Sequence, residues 1–196
     1  VILPFATQNK GKLIEARQVL EPLGIRVKPL SLDLREPDFG SVEEVTGDKL
    51  RQVCALGYRR VMVDDAGIFF SAYDGFPGIL SKRVFQRIGY KGVMKLLEGE
   101  TREAWFEGVV AVLWEGETAF FSGKTPGHLL KVNPADISPE PDFPFNPIFV
   151  PRGDCRTLSQ MSPQERKRYS YRGKALEELA GWLRQRFDID GHPSRC

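Results

Sequence analysis

Asp64 and Asp65 close the run Met62-Val63-Asp64-Asp65-Ala66-Gly67, an apolar stretch that ends in two adjacent carboxylates. Successive strand side chains point to opposite faces, so only one of the two needs to face a cleft. A carboxylate fixed at a strand end can ligate a hard cation or orient a water, and it can equally be a solvated strand end. Glu43 or Glu44, on a helix expected just before the strand, offers a second oxygen ligand. A second polar stretch, Ala6-Thr7-Gln8-Asn9-Lys10-Gly11-Lys12, falls where the first strand meets the first helix. Backbone N–H groups and the helix dipole favour phosphate at such a junction. The stretch lacks the glycine spacing and Lys-Ser/Thr end of a P-loop, so Thr7, Asn9 and Lys12 would have to contribute through their side chains. An ordinary polar turn is the plain alternative.

Asp142 to Phe149, DFPFNPIF, holds three phenylalanines, two prolines and one Asn. Proline fixes φ and removes a donor, so the segment is expected to be extended and stiff rather than helical. Phe143 and Phe145 could sandwich a heterocyclic base whose edge Asn146 reads, since an amide both donates and accepts. A loop plugging a core would use the same rings. The basic stretch Gln164 to Lys174, QERKRYSYRGK, suits a phosphorylated small molecule as well as a polynucleotide.

These residues need elements to position them. VILPFAT predicts a strand, and Leu13, Ala16, Val19, Leu20 and Leu23 recur at helical spacing up to a stop at Gly24. IRVKPL alternates as a second strand, and a helix capped by Ser41 runs to Gly57. RRVMVDDAGIFF is the strand that carries the acidic pair; a Gly/Pro-rich turn and two helical stretches follow. Arg102 to Gly127 predicts a long hairpin turning at Glu115-Gly116-Glu117. A last helix is expected from Ser162, with Pro163 at its first position and a stripe through Leu176, Leu179, Leu183 and Phe187. The mixture of strands, helices and a long hairpin favours an α/β fold with a mixed sheet. Residues 1–187 are expected to form one domain and 188–196 a disordered tail.

Composition removes several classes. The chain has 196 residues and a formal charge of +2, so nothing in its balance calls for nucleic acid or an acidic membrane. No apolar run approaches the roughly 20 residues of a membrane span. Three cysteines without a Cys-x-x-Cys pair read as free thiols, and a cytoplasmic enzyme or binding protein fits. Two histidines, His128 in a turn and His192 in the polar tail, give a Ser-His-Asp triad or zinc site little material.

Taken in order, the motifs resemble the inosine triphosphate pyrophosphatase family, which hydrolyses non-standard purine nucleoside triphosphates. The resemblance runs from Val1 to about Phe187. Thr7-Gln8-Asn9-Lys10-Gly11-Lys12 matches the family's opening Thr/Ser-x-Asn-x-x-Lys. The family's metal-binding Glu, which precedes a helical Lys, falls on Glu44 with Lys49 following. Its acidic pair falls on Asp64-Asp65-Ala66-Gly67, and its Gly-x-Pro-Gly turn on Gly75-Phe76-Pro77-Gly78. Phe143-Pro144-Phe145-Asn146-Pro147-Ile148-Phe149 stands where the family has Phe-Gly-Trp/Tyr-Asp-Pro-x-Phe. Ser170-Tyr171-Arg172 stands for its Ser-His-Arg, and Arg166 for a Lys slightly earlier. The base end is therefore altered more than the phosphate end.

What the resemblance implies is an elongated mixed sheet flanked by helices, in two lobes with a central cleft. It further implies hydrolysis of ITP, dITP or XTP to the nucleoside monophosphate and pyrophosphate, by a cytoplasmic homodimer. Mg²⁺, or Mn²⁺, would be held by Glu44 and Asp65; Asp65 would act as general base and Lys12 would stabilise the leaving charge. Thr7, Gln8, Asn9, Lys12, Ala66, Phe143, Phe145, Asn146, Arg166, Tyr171 and Arg172 would bind the nucleotide. A nucleotide-binding regulator that kept the pocket and lost turnover is the alternative, and RNA binding through Gln164 to Lys174 a weaker one. Because Asn146 can turn its amide to either purine pattern, weaker rejection of ATP and GTP is expected than the family pattern implies.

Overall fold

The computed structural model describes residues 1–187; the tail expected to be disordered, with His192 and Cys196, lies outside the described residues. In chain order the elements are β1 (Ile2–Ala6), α1 (Lys10–Leu20), β2 (Arg26–Leu30), α2 (Val42–Ala55), β3 (Arg60–Phe70), β4 (Pro77–Gly78), α3 (Ser81–Leu96), β5 (Glu103–Trp114), β6 (Glu117–Leu129), β7 (Phe149–Pro151), α4 (Pro163–Lys167) and α5 (Tyr171–Phe187). The strands form one seven-stranded sheet in the order β2-β1-β3-β5-β6-β7, with β4 paired to β3. β1 runs parallel to β2 and β3, and the other pairs are antiparallel, so the sheet is mixed as expected.

β3, β5 and β6 carry most of the ladder, from Arg60↔Trp114 to Phe70↔Ala104 and from Glu103↔His128 to Trp114↔Glu117. Their hairpin closes on Glu115 and Gly116, both with positive φ, the pair of conformations a two-residue hairpin turn needs. Period-two alternation then divides the core. Val61 and Val63 pack with Ala111, Leu113, Leu50 and Val53 beneath α2. Met62 packs with Val110, Val112, Leu176 and Leu179 beneath α1 and α5. A third cluster, Ile68, Phe70, Val93, Leu97, Phe145, Ile148 and Phe149 among its members, fills the far half of the sheet below α3. Asp64 and Asp65 stand between the near clusters and the far one, where the apolar run stops.

Two departures from the expected elements bear on the site. α3 spans both predicted helical stretches but kinks at Gly89, whose φ of 56° leaves the helical region. The single helix expected from Ser162 is instead two, α4 and α5. Ser170 opens the second, its Oγ accepting from the Gly173 N–H at 2.8 Å. Thr125 on β6 holds the break by donating to the Tyr169 carbonyl at 2.6 Å. Gly123 makes the approach possible, because a Cβ there would fall 2.0 Å from the Tyr171 carbonyl oxygen. The break carries Tyr169, Ser170, Tyr171 and Arg172 to the cleft.

Candidate active site

Alternation along β3 puts Asp64 on the face of Met62 and Asp65 on the face of Val63, so each acid meets a different helix. On the α1 and α5 side, Lys12 Nζ lies 3.0 Å from Asp64 Oδ1 and Arg172 Nε 2.8 Å from Oδ2. Arg172 also pairs with Glu15 at 2.6 Å and donates to the Tyr171 hydroxyl at 3.2 Å. On the α2 side, Lys49 Nζ lies 2.8 Å from Asp65 Oδ1 and 2.8 Å from Glu36 Oε1. Both acids therefore line the cleft, where one was expected.

The two carboxylates differ in their protonation. Burial pushes the Asp64 pKa upward, but the charges of Lys12, Arg172 and Lys49 outweigh it and hold it well below the ordinary value. Burial also pushes Asp65 upward, and there it prevails over Lys49 and Lys12, leaving the pKa above the ordinary carboxylate value. Lys49 is itself desolvated, yet Asp65 and Glu36 raise its pKa overall. One acid is thus a locked anion and its neighbour a more basic carboxylate, the separation that assigns different roles to paired groups.

The polar stretch before α1 works as a cap and a tether. Asn9 Oδ1 accepts from the Lys12 N–H at 3.0 Å, and its Nδ2 donates to the Asp142 carbonyl at 3.1 Å. Thr7 Oγ1 accepts from the Asn9 N–H at 3.2 Å, and Gln8 Nε2 donates to the Leu32 carbonyl at 3.2 Å. Gly11 lets the Phe143 ring close on α1, since a Cβ there would come within 2.5 Å of it. Ala66 lines the same cleft from β3.

The aromatic wall is a run of turns, where an extended segment was expected. Backbone bonds Phe143 N–H to Glu140 O (3.0 Å), Asn146 N–H to Phe143 O (3.0 Å) and Ile148 N–H to Phe145 O (3.1 Å) fold it back on itself. The Tyr90 hydroxyl pins it from α3 through the Pro144 carbonyl at 2.7 Å. Phe143 is half-buried, whereas Phe145 is 4% exposed and meets Phe70 and Phe85 edge-on. Phe145 thus also serves as the core plug that was the plain alternative. Phe145→Ala is expected to lower stability by about 3–5 kcal/mol in urea unfolding, and Phe143→Ala by less than half as much. Equal losses would place both rings in the core.

Arg166 Nη1 pairs with Glu140 at 2.7 Å rather than standing free. Tyr171 stacks on Phe106, ring centroids 5.6 Å apart, and burial raises its pKa, so the phenol stays protonated. One expected residue is placed elsewhere. Glu44 does not line the cleft, because its carboxylate accepts from the Ser41 N–H at 2.6 Å and closes the α2 capping box. Ser41-x-x-Glu44 carries that capping assignment in its spacing. Glu36, in the loop before α2, takes the place beside Lys49. No local pattern marks Glu15 and Glu140, isolated acids whose arginine partners lie 157 and 26 positions away.

The cleft has a volume of about 1290 Å³, enough for a nucleotide-sized ligand. Cations from three helices, Lys12, Lys49 and Arg172, line it together with the ring-bearing wall. These features define an α/β protein whose cleft suits a phosphorylated ligand bearing a flat ring. The chain belongs to the Ham1 family, which matches residues 3–182. It is 39% identical to a dITP/XTP pyrophosphatase of Thermococcus kodakarensis, over 93% of this chain and 97% of that one. A dITP/XTP pyrophosphatase of Hyperthermus butylicus is 37% identical, over 94% and 95%. The structure of a HAM1 protein from Coxiella burnetii is similar with a TM-score of 0.78 and 26% identity, over 94% of this chain and 99% of that one.

Proposed function

We propose that the cleft hydrolyses non-standard purine nucleoside triphosphates such as ITP, dITP and XTP to the nucleoside monophosphate and pyrophosphate. The observation that carries this reading is the acidic pair, each member facing a lysine from a different helix, opposite a wall bearing Phe143 and Asn146. Relatives named dITP/XTP pyrophosphatase support it. Water attacks the α-phosphorus, its proton passes to the Asp65 carboxylate, and the bond to the bridging oxygen breaks to release pyrophosphate. Lys12 and Lys49 stabilise the charge that moves onto the leaving group. Thr7, Gln8 and Asn9 shape the loop under the phosphates, while Phe143 packs on the base and Phe145 backs it.

A divalent cation, Mg²⁺ or Mn²⁺, fits the hard oxygen donors present. Glu36 and Asp65, not Glu44, are the residues that would hold it, since both already converge at 2.8 Å on one cation, the Lys49 ammonium. Among the described residues no group of three or more His, Cys, Asp or Glu is placed to hold a metal. Such a cation would neutralise phosphoryl charge during attack. Excess chelator is expected to abolish pyrophosphate release, and Mg²⁺ or Mn²⁺ to restore it. Full activity in EDTA would remove the metal from the reading.

The deciding experiment follows ITP, dITP and XTP, quantifying monophosphate and pyrophosphate in equal amounts. Nucleotide binding without pyrophosphate release would favour a regulator instead. From the resemblance to the inosine triphosphate pyrophosphatase family we further propose that the chain is a cytoplasmic homodimer acting on a small nucleotide rather than a polynucleotide. No described helix is long and apolar enough to cross a membrane.

A further inference from the structure

The Tyr169 carbonyl and the Gly173 N–H stand in the register of one ordinary helical bond, which a continuous helix through α4 and α5 would form. The protein divides that bond between two side chains. Ser170 Oγ accepts from the Gly173 N–H at 2.8 Å, and Thr125 Oγ1 donates to the Tyr169 carbonyl at 2.6 Å. Thr125 is 3% exposed, and no residue of its strand, β6, is among the described residues that line the cleft. The sheet around it forms a seat. Gly108 and Gly123 pair directly across β5 and β6, and a Cβ on either would fall within 2.6 Å of Tyr171. Phe106, the cross-strand partner of Thr125, stacks on the Tyr171 ring. From this seat Tyr171 and Arg172 reach the cleft, where Arg172 pairs with Asp64 and Glu15.

We infer that Thr125 is a positioning residue for nucleotide binding, one that keeps Tyr171 and Arg172 at the cleft from a strand outside it. Without the Thr125 hydroxyl the Tyr169 carbonyl loses its donor, and the helical bond to the Gly173 N–H is the alternative that regular geometry offers. Forming that bond continues α4 into α5. The residues between them then turn with the helix, and Tyr171 is drawn off its glycine floor. A buried hydrogen bond of this kind changes an equilibrium by about 10-fold when it is lost. The inference rests on the proposed nucleotide site, since Tyr171 and Arg172 enter it as part of that site's lining.

The test compares Thr125→Val and Thr125→Ala, which remove the hydroxyl, with Thr125→Ser, which keeps it. Pyrophosphate release from ITP should show KM raised about 10-fold in the first two, with kcat within about threefold of wild type because Asp65 and Lys49 are untouched. Thr125→Ser should leave KM near the wild-type value. The dissociation constant of IMP, measured by calorimetry, should weaken in parallel with KM. Gly123→Ala presses a Cβ on the Tyr171 carbonyl and should raise KM with Thr125 intact, which keeps the inference testable if a Thr125 variant does not fold. A purely structural role would lower the urea midpoint of the valine and alanine variants and leave KM and the IMP constant unchanged. That result, or a serine variant as weak as the valine one, overturns the inference. A wild-type chain that binds IMP yet releases no pyrophosphate from ITP fails the catalytic reading alone, and the IMP constants then carry the comparison. One that does neither removes the nucleotide site and this inference with it.

Discussion

Asp65→Asn is expected to lower kcat for ITP by about 10²–10⁴-fold while the protein remains folded. The side chain sits 9% exposed at the end of the apolar part of β3, where burial raises its pKa despite Lys49. A raised pKa makes the ionised carboxylate a better proton acceptor near neutrality, so activity should climb as pH rises through it. Asparagine keeps the shape and loses both the charge and the basicity. The fold should tolerate the change, because Lys49 retains Glu36 at 2.8 Å and the Asp64 carbonyl at 3.3 Å, leaving no buried charge stranded. The measurements are steady-state pyrophosphate release and the urea midpoint. A variant that keeps more than about a tenth of the rate takes the base role away from Asp65.

Asp64→Asn acts on stability, an effect larger than its place on the opposite strand face suggested. Asp64 is 4% exposed and joins Lys12 on α1 to Arg172 on α5. Removing its charge leaves two cations facing a neutral amide, with Glu15 still pairing Arg172, so a loss of roughly 3 kcal/mol is expected, toward the lower end for broken buried pairs. The pH dependence has a definite sign. With its folded pKa depressed below the ordinary 3.8, the unfolded chain takes up the proton first as pH falls. The contribution is therefore present in full above the ordinary value and is lost as pH falls through it toward the folded pKa. Urea midpoints of wild type and variant should differ most near pH 7 and converge below about pH 4. A gap that stays constant down to acid pH would mean that packing, not charge, holds this junction.

Local pattern carried much of the architecture. The helical spacing of Leu13, Ala16 and Val19, the Ser41 cap and the Glu115-Gly116 turn each involve residues within a turn or two of one another, and each element appears where those signals place it. The break between α4 and α5 was invisible because its cause lies on β6: Thr125 binding the Tyr169 carbonyl, and the missing Cβ of Gly123. A continuous helical stripe could not report a contact made 44 positions away.

The site divides along the same line. The residue types that suit its chemistry, the acidic pair, Lys12 and the ringed segment, were fixed by the sequence itself, since charge, basicity and flatness belong to side chains. Which acid would be locked and which left basic was decided only by the fold, because pKa depends on burial and on cations brought from α1, α2 and α5. Tertiary structure likewise set Glu36 rather than Glu44 beside Lys49, and set Glu140 against Asn146. Hydrogen-bond partners across a cleft are chosen by packing rather than by spacing along the chain.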